Sequence, residues 1–120
     1  MLAHQWLGYF YLFIGEERRS LEHSRLYAAV FPSEGSSYLN EARAHAQLFT
    51  KHKRAGDVAE MQKSKERAVT ALETALNLDS GMYEYVTTTL PKQGPSSFVE
   101  LEKESDFTNL LNKYRIPSAA

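Results

Sequence analysis

The chain contains no cysteine, which removes disulfides, thiolate catalysis and cysteine-ligated zinc or iron–sulfur sites while leaving the compartment open. It also lacks an excess of either charge: 14 Lys and Arg stand against 15 Asp and Glu, a formal net charge of -1. No global field draws such a chain to nucleic acid or to an acidic membrane surface, so neither is an expected partner. Long hydrophobic runs are missing as well. The nearest approach, Trp6 to Ile14, is too short to span a bilayer. It is not a secretory leader either, because His4 and Gln5 precede it where a basic stretch belongs and Glu16-Glu17-Arg18-Arg19 follow it. With no leader and no span, the expected compartment is the cytoplasm and membrane insertion is not expected. A chain that begins inside its first helix with no capping residue before it is compatible with truncation as well as with a native start at Met1.

What is present describes an ordinary folding chain. Its 120 residues are 42% hydrophobic and 24% charged, enough for one domain with a real core and no tail of disordered composition. From Ala3 to Ile14 there is no proline, and the run reads as one helix buried on more than one side. Gly15 supplies a turn, and Glu16 and Glu17 place negative charge on the positive end of a second helix, Glu17 to Val30. Its small and apolar face runs Ser20, Leu21, Ser24, Tyr27, Ala28, Phe31. Pro32-Ser33-Glu34-Gly35 ends it. A third helix precedes Gly56, and a fourth carries Val58, Met61, Lys65, Ala68, Leu72 and Ala75 at alternating three- and four-residue steps. Asp57 with Glu60 reads as its cap, Lys51, Lys53 and Arg54 suit the end of the third helix, and Lys65 lays its stem along the seam with its ammonium in water. Pro91, Gly94 and Pro95 then permit only short helices: Met82 to Val86, Ser97 to Lys103, and Asp106 to Tyr114 with Ser105 as cap. Phe98, Leu101, Phe107, Leu110 and Leu111 are expected to fold back as a lid.

The order Leu7-Gly8-x-x-Tyr11, Gly15, Ser20 and Pro32 resembles one tetratricopeptide repeat. Shifting Gly8 by the repeat length of about 34 residues lands on Ala42, with Tyr38 and His45 at aromatic positions. Past that point Gly56, Ala68 and Leu72 fall late, so each helix of the second unit is about one heptad longer, close to two turns and therefore without rotation of its apolar face. The stretch Phe98 to Leu111 resembles the segment that closes such arrays in bacteria. His4, Ser24 and Ser80 depart from the repeat's Trp, large aromatic and second Pro. The resemblance implies an all-α fold of two antiparallel helical hairpins, residues 1–34 and 35–80, with a C-terminal capping segment over 81–120, together forming a single domain. It also implies a non-enzymatic protein-interaction scaffold or adaptor.

In that family the first helix of each unit lines the binding groove. Gln5, Trp6, Tyr9, Leu12 and Phe13 would then lie on it, continued by Leu39, Asn40, Arg43 and Gln47, with a protein or peptide as partner. Trp, Tyr and Arg are the expected anchors. Some members hold a peptide carboxylate with Lys and Asn; Asn40 matches one such position, but Gln5 and Tyr9 stand where the first helix should supply Lys and Asn, so that clamp is not expected. The alternative reading is a self-association module in which the same aromatics are buried between copies, and a homo-oligomer is expected. His45 and His52 share a helix face but lack a third ligand, so no metal and no other cofactor is expected; His45 reads as packed and His52 as surface. The basic residues Lys51 to Arg54, Lys63, Lys65 and Arg67 are interleaved with acids and lack a glycine-rich loop. Glu100, Glu102, Glu104 and Asp106 alternate with apolar residues as a solvated face does. No catalytic constellation emerges.

Overall fold

Two glycines in the left-handed region mark the tight turns. In the computed structural model, which describes residues 2–79, 81–90 and 97–115 with side chains from Trp6 onward, Gly15 and Gly56 both adopt a φ of 75°, a conformation that is cheap only without a Cβ. Gly15 separates α1 (Leu2–Phe13) from α2 (Glu17–Val30). Gly56 caps α3 (Gly35–Ala55), its N–H reaching the carbonyls of His52 and Lys53. Asp57 then accepts the Glu60 N–H at 3.2 Å to start α4 (Val58–Leu78), as the sequence predicts. All the described secondary structure is helical, and none of these helices is long and apolar enough to cross a membrane.

The second hairpin is the longer, with 21 residues in each of α3 and α4 against 12 and 14 in α1 and α2. The antiparallel α3–α4 pair dominates the packing. Leu39, Ala42, Ala46 and Phe49 of α3 meet Ala68, Ala71, Leu72, Ala75 and Leu76 of α4 in one continuous core, where alanines let the helix axes approach. Val58 is exposed, so the α4 stripe begins to bury only beyond it.

The C-terminal segment closes this core. α5 (Met82–Glu84) runs straight into a π-helical turn, Tyr85–Thr89; a 3₁₀ turn over Leu101–Lys103 precedes α6 (Ser105–Tyr114). Met82, Val86, Leu90, Phe98, Leu101, Phe107 and Leu110 are buried on α3 and α4, with Leu111 half-buried against them. The Phe98 and Phe107 rings sit 5.4 Å apart. Ser105 is not the cap: Glu104 holds that position, without a side-chain hydrogen bond, and Ser105 is the first helical residue. Lys65 does not end in open water either, because its ammonium reaches Asp106 at 3.1 Å and Glu104 at 3.6 Å and so ties α4 to α6. The predicted break at Pro91, Gly94 and Pro95 and the departure at Ser80 lie outside the described residues.

The first hairpin is held differently. Its seam is built from small residues: the Ser20 hydroxyl donates to the Gly8 carbonyl at 2.7 Å, and a Cβ on Gly8 would stand 2.8 Å from Ser24 Oγ. Beneath it, among the described residues, Leu12, Leu21 and Ala44 are buried as a small apolar cluster, with Leu48 packed alongside. Lys51 of α3 anchors the turn, its ammonium 2.7 Å from the buried Glu17 carboxylate and 2.8 Å from the Gly15 carbonyl.

Candidate functional site

Ser36, Leu39, Asn40 and Arg43 stand three, four and seven residues apart counted from the first, so α3 turns them all to one side. On that side they meet Trp6 and Tyr9 of α1 and Asp79, Met82 and Tyr85 of the segment after α4, enclosing a groove of about 610 Å³. Three separate helical segments converge here because α3 lies between the first hairpin and the C-terminal lid.

Arg43 forms the floor. Only 2% of it is exposed, its guanidinium lies 5.1 Å from the Tyr9 ring centroid, and the Tyr9 hydroxyl oxygen accepts a hydrogen bond from it. Burial pulls the guanidinium pKa below its ordinary value, and Tyr9 and Tyr85 act against that pull. The group stays cationic. Asn40 is buried beside it, Leu39 reaches the groove from the α3–α4 core, and Trp6 stands at the rim, 69% exposed. Asp79 is also at the rim, its carboxylate accepting the Gly81 N–H at 2.9 Å. Mostly apolar walls around one fixed buried cation suit a ligand that pairs an apolar body with negative charge.

The eight residues singled out from the sequence do not all meet. Trp6, Tyr9, Leu39, Asn40 and Arg43 come together. Leu12 leaves the expected surface for the core, where it packs with Leu21 and Ala44. Phe13 is exposed beyond the groove, edge-on to Tyr9 at 5.0 Å. Gln47 turns to the far end of α3 and donates to the Ser97 hydroxyl at 2.9 Å. Arg43 is buried rather than solvated, because Tyr9 and Tyr85 close over it. The Gln5 side chain lies outside the described residues. Sequence reasoning missed Ser36, Asp79, Met82 and Tyr85. Ser36 was legible as the preceding turn of the Asn40–Arg43 face; Tyr85 was not, since a π-helical turn sets its direction.

A second, polar cleft of about 470 Å³ opens between α2, α3 and α4, lined by Arg25, Glu41, His45, Glu66 and Arg67. His45 is buried there, as expected from the sequence, and its Nδ1 has no hydrogen-bond partner among the described residues. Burial and the charges of Arg25 and Arg67 push its pKa down to about 4. Burial raises the Glu41 carboxyl, against the opposing pull of Arg25, whose Nε lies 3.8 Å away. His52 is half-buried. Among the described residues no three His, Asp or Glu side chains gather as a metal-holding group.

Compared with protein-family models, curated proteins and solved structures, the chain matches none.

Proposed function

We propose that this chain is a non-enzymatic interaction scaffold of the tetratricopeptide type, presenting the groove along α1, α3 and α5 to a protein or peptide segment. The observation that carries the reading is the groove itself: an aromatic wall of Trp6, Tyr9 and Tyr85 over the buried Arg43. Two features of the hairpins support the repeat assignment. Gly8 lies at a close helix contact, where the repeat pattern wants a small residue. The first helix of each hairpin, and the short helix after the second, face the same groove.

Charge complementarity narrows the occupant to a segment with an apolar side chain next to an acidic group, which would offset the desolvation of Arg43. Selection from a displayed random-peptide library tests this. The wild-type chain is expected to enrich peptides with an acidic residue beside an aromatic or aliphatic one. Trp6→Ala, a rim change that leaves the core intact, should weaken the enriched peptides by at least about tenfold. Arg43→Gln should remove the acidic preference. No enrichment, or enrichment that Trp6→Ala leaves untouched, rejects the proposal.

A further inference from the structure

The polar cleft lies on the side of α3 turned away from the groove. Tyr38, Glu41 and His45 follow one another at three- and four-residue steps and so share one helix face, opposite the face that carries Ser36, Leu39, Asn40 and Arg43. Among the described residues the two sites have no lining residue in common. The cleft's volume of about 470 Å³ falls in the range of small-ligand sites, roughly 300–1,000 Å³.

Its inner wall holds a polar group that the fold leaves unserved. Only 5% of His45 is exposed, it lines the cleft, and its Nδ1 lacks a partner among the described residues. Buried polar groups of this kind are uncommon, because water no longer satisfies them. The charges that act on the imidazole are those of Arg25, from α2, and Arg67, from α4, and together with burial they hold it neutral. Two cations therefore converge on a third group that can become one.

Glu41 and Glu66 also line the cleft, yet neither ties up a guanidinium. Arg25 Nε stands 3.8 Å from Glu41 Oε1, longer than a hydrogen bond and short of a bidentate pair. Arg67 is exposed and forms no ion pair with another described residue.

The occupant follows from these charges. A metal cation would be repelled by both guanidiniums, and among the described residues no three His, Asp or Glu side chains gather to hold one. An apolar ligand would strip water from charged side chains and give nothing back. An oxyanion accepts hydrogen bonds from both planar forks, and its charge favours a proton on the imidazole between them. Phosphate, with up to two charges and several acceptor oxygens, answers two forks better than a single carboxylate does.

We propose that this cleft is a phosphate-binding site, in which Arg25 and Arg67 hold the group from α2 and α4 against the His45 imidazole. Its source is inorganic phosphate or the phosphate monoester of a small molecule. No groove residue takes part, so the site stands or falls independently of the scaffold reading.

His45 is itself the reporter. Its ring signals are followed by NMR from pH 7 downward during titration with sulfate, whose charge is constant over that range, with chloride holding the ionic strength fixed. Saturable shifts at His45 with a Kd in the millimolar range or below are expected, and the imidazole pKa should rise by about one unit or more at saturation. Arg25→Gln and Arg67→Gln, both at exposed positions, should each weaken sulfate by about tenfold, with helical content by circular dichroism unchanged. Inorganic phosphate and glycerol 3-phosphate, titrated in parallel at pH 7, separate the sources: the tighter of the two identifies free or esterified phosphate as the occupant. No saturation below about 10 mM sulfate, a His45 pKa that saturating sulfate leaves unmoved, or binding that either arginine variant leaves unchanged overturns the site.

Discussion

His45 changes its chemistry within an accessible pH range. The charged groups around it are Arg25 on α2, Glu41 on its own helix, and Glu66 and Arg67 on α4. With its folded pKa near 4 against an ordinary 6.5, the imidazole stays neutral in the folded chain while the unfolded chain takes up a proton. Its contribution is therefore fully present above pH 6.5 and is lost as the pH falls toward 4, by at most about 3 kcal/mol. Urea midpoints followed from pH 7 to 4.5 should fall in the wild type and fall less in His45→Gln. Parallel pH profiles would show that some other group sets the acid sensitivity. The burial of His45 was readable from its place on the inner face of α3. The burial of Arg43 was not, because the rings that close over it come from α1 and from the segment after α4.

Helix α1 shows what one element can and cannot disclose. Its span was legible from local chemistry: no proline, and a turn glycine at its end. Which of its sides is covered was not legible, because apolar residues surround it and periodicity cannot rank the faces. Only the packing separates the buried Leu12 from the exposed Phe10 and Phe13. The contact of α1 with α2 is open to direct test. Gly8→Ala places a methyl 2.8 Å from Ser24 Oγ and crowds the seam, which should cost about 1–3 kcal/mol in thermal or chemical unfolding. Since the buried Ser24 hydroxyl has no hydrogen-bond partner among the described residues, Ser24→Ala alone should be nearly neutral and should recover much of the loss in the double variant. A double variant as unstable as Gly8→Ala would place the strain elsewhere. The α5 segment was harder to foresee. Its start at Met82 agrees with the sequence reading, but the π-helical turn that follows depends on packing against the α3–α4 core rather than on a local signal.

Across the whole molecule the two apolar clusters are unequal, and stability should follow them. Amides of α3 and α4 are expected to exchange with solvent more slowly than those of α1 and α2. Uniform protection across the four helices would mean that the chain unfolds as one unit. The all-helical class and the hairpin order were legible because turn glycines and caps are local signals. The groove was legible in part, through the α1 and α3 residues that helical spacing groups together, while Asp79, Met82 and Tyr85 arrive only when the chain doubles back. The separate cluster of Leu12, Leu21, Ala44 and Leu48 also bears on how such a chain can change over time. Substitutions there repack a handful of side chains set apart from the interior shared by α3, α4 and the lid, so the first hairpin has room to vary while that interior stays as it is.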